Sequence, residues 1–392
     1  MSLSQTPSLQ APPGAFSIAL VAGEASGDLL ASWMMKGLSL RWPLAKMQGI
    51  GGPRMQAQGF NAWWPSEKLA VRGYVEVLRH YREIVGIRKQ FKARLLIDRP
   101  SVFIGVDAPD FNLDLACDLK QNGIPTAHFV CPSIWAWRAE RIEKIRRSVD
   151  HVLCIFPFEP ALLHKHGVAA TFVGHPLAQA IPLKVDAHQA KLSLGLDPVR
   201  PVIALLPGSR ASEIAYLAER FLQTAQQLHR QRKGLQFVLP CLPAYKSRLH
   251  ELAAQLDAGI EIQILQGQSH AALAACDVSL IASGTATLEA ALFKKPMVIA
   301  YNMNRLSWQI MKGKQLQPWI GLPNILAQDF VVPEFLQDQA TPQYLAPALL
   351  KWLDAPDKAQ ALSLRFEALH HALLRDTPTL SADVIQTLVQ RR

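Results

Sequence analysis

The chain has 392 residues, more than one hydrophobic core usually spans, so two domains of comparable size are expected. Hydrophobic residues make up 49% and charged residues 18%, a globular composition, and no run of about 18 apolar residues is present to cross a bilayer. Of the net charge of +10, half sits in 25 residues, where Arg72, Arg79, Arg82, Arg88, Lys89, Lys92 and Arg94 outnumber Glu76 and Glu83.

Residues 1–15 are rich in Ser, Pro and Gln and lack a basic n-region, so they read as a disordered leader rather than a signal peptide. Phe16 to Ala22 is a buried strand that feeds Gly23-Glu24-Ala25-Ser26-Gly27-Asp28 and then a helix from Leu29 to Leu40. A second strand, Met47 to Gly52, ends in Gly49-Ile50-Gly51-Gly52-Pro53. This fails the dinucleotide fingerprint because Arg54 stands where the third glycine belongs. The basic stretch interleaves its cations with Val75, Val77, Leu78, Tyr81, Ile84, Val85, Ile87 and Phe91. That pattern suits an interfacial helix on anionic lipid, with a solvated helix face as the plain alternative and nucleic acid as a weaker third. Ser101 to Val106 delivers Asp107-Ala108-Pro109-Asp110-Phe111-Asn112 at a strand end, where ligands of open α/β sheets gather. Asp107 and Asp110 are the carboxylates best placed to act as a general base, although Asp in such a turn is often a turn former or cap. Strands at Thr126 to Val130 and His151 to Phe156 follow. Trp135 and Trp137, like Trp63 and Trp64, suit either an acceptor pocket or a core.

The stretch from Gly174 to Leu196 is the best linker, after which alternation restarts. Val202 to Leu206 is continuously apolar, Pro207-Gly208-Ser209 stops it, and Ile214, Leu217, Ala218, Phe221, Leu222, Ala225 and Leu228 mark one helical stripe. Such a loop presents backbone N–H groups and a positive helix end, with Arg210 as a forked donor, which suits a phosphate. The alternative is an ordinary turn with a solvated arginine. Strands at Phe237 to Pro240, Ile260 to Leu265 and Val278 to Ala282 come next. The last of these leads into Ser283-Gly284-Thr285-Ala286-Thr287-Leu288-Glu289, where Glu289 could accept both hydroxyls of a ribose or simply favour the helix dipole. Two such loops together point to a nucleoside diphosphate. No DxD motif and no Walker lysine accompany them, so a metal-chelated diphosphate and a P-loop are both disfavoured. The last 50 residues are helical in pattern.

The five cysteines are odd in number, widely spaced and without a CxxC pair, which argues for a reducing compartment and against a zinc or disulfide framework. The twelve histidines show no ligand spacing, so neither a metal site nor a cofactor is expected. The domain reading is an N-terminal α/β domain over 16–180, a second over 186–345 and a helical segment over 346–392, both domains doubly wound and facing a cleft.

Nine motifs occur in order: GEASGD at 23–28, GGPRM at 51–55, GVDAPDFN at 105–112, PSIWAWR at 132–138, FPFE at 156–159, VGHP at 173–176, LLPGSR at 205–210, SGTATLE at 283–289 and LPN at 322–324. Together they closely resemble the lipid-A-disaccharide synthase family, with matches from about residue 16 to 335. The resemblance implies a GT-B-like pair of Rossmann domains. It implies transfer from UDP-2,3-diacylglucosamine to 2,3-diacylglucosamine 1-phosphate with inversion and release of UDP. Asp107 then resembles the general base for the acceptor 6-hydroxyl, and Arg210 and Glu289 resemble diphosphate and ribose contacts beside Ser209, Ser283, Gly284 and Thr285. Ser26, Asp110 and Asn324 stand at further substrate-side positions. Because both substrates are lipids, Arg79, Arg82, Arg88 and Lys89 become a candidate face for the anionic inner membrane rather than for nucleic acid. A cytoplasmic protein held peripherally at that membrane follows, and a homodimer is left open. Cys131 replaces a serine frequent in the family, and Asn302 and Asn304 stand where basic residues are common. The runner-up is another UDP-sugar enzyme of this fold, such as a cell-wall glycosyltransferase or a UDP-N-acetylglucosamine epimerase, and beyond enzymes a nucleotide- or lipid-binding protein without turnover.

Overall fold

The alternation of short apolar runs with amphipathic helices produces two all-parallel sheets. The computed structural model describes residues 16–69, 74–136, 139–256, 259–313 and 315–391, without the side chains of 25, 74–81, 306, 307, 310 and 311. The first sheet contains β1 (Ser17–Ala22), β2 (Lys46–Gly51), β3 (Asn61–Pro65), β4 (Val102–Val106), β5 (Thr126–Phe129), β6 (His151–Cys154) and β7 (Ala170–Phe172). Its order is β3-β2-β1-β4-β5-β6-β7, so the direction of winding reverses between β1 and β4. The second contains β8 (Val202–Leu206), β9 (Gln236–Cys241), β10 (Ile262–Gln266), β11 (Val278–Ala282), β12 (Met297–Tyr301) and β13 (Glu334–Leu336), in the order β10-β9-β8-β11-β12-β13. Here the reversal falls between β8 and β11. The expected doubly wound α/β architecture is therefore present twice.

Central strands are buried on both faces, as crossover helices require: Ile18, Leu20, Phe103 and Phe129 in the first sheet and Val202 to Leu205 in the second are inaccessible or nearly so. The helix Ala211–Gln231 buries Ile214, Leu217, Ala218, Phe221, Leu222, Ala225 and Leu228, the stripe read from its spacing. The chain divides into two compact units, one comprising Met1–Ile134, Arg138–Pro176 and Leu373–Arg392, the other Trp135–Trp137 and Leu177–Ala372. Of the closing helices, Pro342–Leu353 packs on Ala211–Gln231, whereas Thr377–Gln390 lies along Ala25–Arg41 in the first unit. The edge strand β3 carries Trp63 and Trp64, which pack on Phe91, with the Arg94 guanidinium 3.6 Å above the Trp63 ring. Both tryptophans are thus edge packing of the first sheet. Among the described residues, no helix is long and apolar enough to cross a membrane.

Candidate functional site

In each unit the loops that follow the two strands at the winding reversal diverge, which is where open α/β sheets leave a crevice. In the first unit these are the loops after β1 and β4. Ser26 stands exposed in the first turn of Ala25–Arg41. Asp28, next on that turn, is buried and accepts from the backbone N–H groups of Gly52 (2.9 Å), Arg54 (2.9 Å) and Met55 (3.1 Å). The carboxylate thus caps the short helix Pro53–Gln56, and a Cβ at Gly52 would stand 2.7 Å from Asp28 Cγ. GEASGD and GGPRM are two halves of one tie, which is why the glycines there need no dinucleotide.

After β4 the backbone turns left-handed at two consecutive residues that are not glycine, Asp107 (φ 51°) and Ala108 (φ 42°). Such geometry costs about 1–3 kcal/mol per residue and persists only where its surroundings enforce it. Asp107 N–H donates to Phe129 O at 3.0 Å, and Asp107 O accepts from Asn112 Nδ2 at 2.8 Å. Asn112 is fully buried and also reaches Val106 O and Val21 O, each at 3.4 Å. Pro109 then opens the helix Pro109–Gln121 at its first position, where its ring suits the helix and no N–H is missed. Asp107 is left half-buried at the strand end, while Asp110 is exposed and pairs with Arg141. Of the two candidate bases, Asp107 is held by the fold on both backbone groups and stands half-buried at the strand end.

The later motifs of the first unit serve its closure. Glu159 is buried and accepts from Phe156 N–H at 3.0 Å, and His175 N–H donates to Leu373 O at 3.0 Å, fastening the returning C-terminal segment. Burial pushes His175 down to about 3, so its ring is neutral. Trp135 belongs to the second unit, where its carbonyl accepts from Gln317 Nε2 at 3.0 Å; Trp137 lies outside the described residues.

In the second unit the loop after β8 holds Gly208 at φ 116°, with Ser209 and Arg210 exposed. The expected unoccupied N–H groups are corrected here. Glu213, third residue of the helix, folds back so that its carboxylate accepts from Ser209 N–H (2.9 Å) and Arg210 N–H (3.2 Å) and pairs with the Arg210 guanidinium at 2.8 Å. Capping by a glutamate at this position satisfies donors that would otherwise be orphaned, and the reading of the loop did not use that spacing. Gly208 is required, since a Cβ there would press on Glu213 Cβ and Oε2. Tyr301, ending β12, senses the same pair: burial first and then the Glu213 carboxylate push its phenol up, with Arg210 opposing.

The loop after β11 begins with Ser283, whose hydroxyl donates to Ile320 O at 2.9 Å, and continues through exposed Gly284 and Thr285 at the start of Thr285–Leu292. Glu289 lies on that helix 3.7 Å from His270 Nε2. Asn324 departs from the expected substrate contact. It is fully buried, donates to Val332 O (2.9 Å) and Glu334 Oε1 (2.8 Å), and accepts from Val332 N–H (3.0 Å). Its amide is saturated by the protein. Glu334, which the sequence reading missed, also accepts from the N–H groups of Ile320 and Gly321 at 2.9 Å, and burial pushes its carboxyl up.

The basic stretch forms the helix Tyr74–Asp98, and its cations divide. Arg88 is turned to Asp114 at 2.9 Å and Lys92 to Asp118 at 2.7 Å, so Arg88 braces the neighbouring helix Pro109–Gln121 rather than projecting outward as expected. Arg82 and Lys89 are exposed, and the Arg79 side chain lies outside the described residues.

Comparison with known proteins fits this arrangement. The family model described as lipid-A-disaccharide synthetase matches residues 18–383. The chain is 61% identical over 378 residues to a lipid-A-disaccharide synthase of Albidiferax ferrireducens, covering 95% of this chain and 97% of that protein. It is 51% identical over 382 residues to that of Paraburkholderia xenovorans, covering 97% and 98%. Among solved structures, a UDP-GlcNAc 2-epimerase from Neisseria meningitidis bound to UDP-GlcNAc superposes with TM-score 0.64 at 11% identity, covering 96% of this chain and 100% of that one. The Acinetobacter baumannii MurG superposes with TM-score 0.61 at 15% identity, covering 95% and 100%. At these identities the structural likeness speaks for the fold alone, which is of the GT-B kind.

Proposed function

The chain belongs to the lipid-A-disaccharide synthase family and is a glycosyltransferase of lipid A biosynthesis; on that premise we propose that it joins UDP-2,3-diacylglucosamine to 2,3-diacylglucosamine 1-phosphate with inversion. The observation that carries the reading is the pinned left-handed turn that sets Asp107 at the end of β4. Its carboxylate takes the proton of the acceptor 6-hydroxyl as that oxygen attacks the anomeric carbon. The bond from that carbon to the diphosphate breaks with its electron pair, and UDP departs. Arg210 meets the charge on the leaving diphosphate together with the start of the helix Thr285–Leu292, in place of a divalent cation. Glu289 accepts the ribose hydroxyls, with Ser209, Ser283, Gly284 and Thr285 beside the diphosphate and Ser26 on the acceptor side. Asn324 and Asp110 support the loops that carry these groups.

The test is turnover of a diacyl UDP-glucosamine with its lipid acceptor in the presence of EDTA. Asp107→Asn should lose rate by about 100-fold or more while UDP binding is kept; an unchanged rate removes Asp107 as base. Turnover of the donor without acceptor would instead favour an epimerase.

Both substrates carry acyl chains, so the enzyme works at the cytoplasmic face of the inner membrane, with Arg82 and Lys89 toward anionic lipid. Replacing both by Gln should weaken binding to phosphatidylglycerol vesicles by about 1 kcal/mol per cation. Equal binding by wild type and variant overturns the docking face.

A further inference from the structure

His128 has no part in the chemistry above, yet it lies next to it. It sits on β5 as the register partner of Gly105 on β4, two residues before Asp107. The residue is fully buried, and neither ring nitrogen has a hydrogen-bond partner among the described residues. Asn112 faces the same place. Its Nδ2 holds the carbonyls of Asp107, Val106 and Val21, but its Oδ1 is equally without a partner. The point that a Cβ on Gly105 would fill lies 3.0 Å from His128 Nδ1 and 2.9 Å from Asn112 Cγ. Ring and amide therefore pack against the same face of Gly105, where no side chain could stand. Buried polar atoms are nearly always hydrogen-bonded, and leaving one unmade costs about 1–3 kcal/mol. A donor and an acceptor on one face answer each other.

We propose that His128 is a positioning residue for Asp107: a small rotation of ring or amide brings the ring N–H onto Asn112 Oδ1, and so fixes the amide that grips the Asp107 carbonyl. The inference rests on the reading of Asp107 as general base. Burial lowers His128 to about 4, so near neutral pH the ring stays uncharged and carries a single N–H. A neutral donor steadies the turn without placing a second charge beside the carboxylate, and a loosened turn would misplace the base without touching the UDP-sugar loops. Displacement of a catalytic group by about 1 Å costs on the order of 100-fold in rate.

The experiment measures His128→Leu and His128→Gln in the wild-type and Asp107→Asn backgrounds. In the wild-type background Leu should lower kcat about 10- to 100-fold with donor KM and UDP affinity within about twofold. Gln, which keeps an N–H donor, should recover most of the rate. In the Asp107→Asn background Leu should add nothing, because the group it positions is gone. An equal loss in both backgrounds, or an unchanged kcat, overturns the inference. A full rate for Asp107→Asn alone would instead overturn the base assignment. Should His128→Leu fail to fold, 15N-histidine spectra of the wild type decide. One sharp, slowly exchanging ring N–H on a neutral His128 supports the relay, and a freely exchanging ring rejects it.

Discussion

In the first unit the loop after β4 is held by an amide: Asn112 donates to its carbonyls and Phe129 accepts from Asp107. In the second, the loop after β8 is held by an acid, with Glu213 accepting from its N–H groups and pairing with Arg210. Both loops flank the winding reversal of their own sheet, one on the β4 side and the other on the β8 side, which corresponds to β1, and their anchors differ in charge. An amide fixes geometry while leaving the electrostatics to the residue it presents, which suits a carboxylate that must take up a proton. A carboxylate anchor partly neutralises its own arginine, so a diphosphate arriving at Arg210 has to exchange with a partner already present. Geometry dominates one loop and charge exchange the other.

The largest expected effect breaks the charged framework of the second unit. Asn324→Ala removes three hydrogen bonds and leaves the half-buried Glu334 short of a donor, which should cost about 3 kcal/mol in urea unfolding. A loss under 1 kcal/mol would show that the loop does not depend on it. Acid should weigh more on the first unit than on the second, where burial lowers His370. Burial lowers His128 and His151 to about 4 and His175 to about 3, so between the unfolded value of 6.5 and these the unfolded chain binds protons that the folded one does not. Stability is then full above 6.5 and falls as pH drops toward 4, by on the order of 1–3 kcal/mol for each fully buried ring. Amide exchange, corrected for intrinsic rates, should lose protection in β5, β6 and the His175 turn before β8 and β11; equal loss in both units would break the contrast. The smallest effect sharpens the second loop. Glu213→Ala should cost about 1 kcal/mol of stability, as a lost cap does, and raise donor KM several-fold with kcat little changed. A fall in kcat alone would mean that Glu213 acts on the reaction and not on the loop.

Much of this was legible from the residues. Val202 to Leu206 and Val278 to Ala282 announced themselves as buried strands because every position but Ser279 is apolar, and the turns after them fell where a ligand loop belongs. β3, β7 and β13 passed unread because short edge strands lack that run, and β12 passed unread although Met297 to Tyr301 has it. The protein-side partners of Asn324 were hidden for another reason. Leu-Pro-Asn reads the same whether it faces solvent or core, and only Glu334, ten positions later, decides which. His128 was silent too, since its meaning depends on a glycine one strand away. Glu213 alone had a local sign, the spacing of a helix cap.

The helix Thr377–Gln390 carries a consequence for synthesis. It covers Ala25–Arg41 in the first unit, with Gly37 against the Pro378 backbone and Arg41 paired to Asp383 and Gln386. On the ribosome, the sheet begun first therefore waits for one of the last segments made, while the second sheet can close earlier. Until then the face of Ala25–Arg41 that it covers stands open, the kind of apolar surface that chaperones hold.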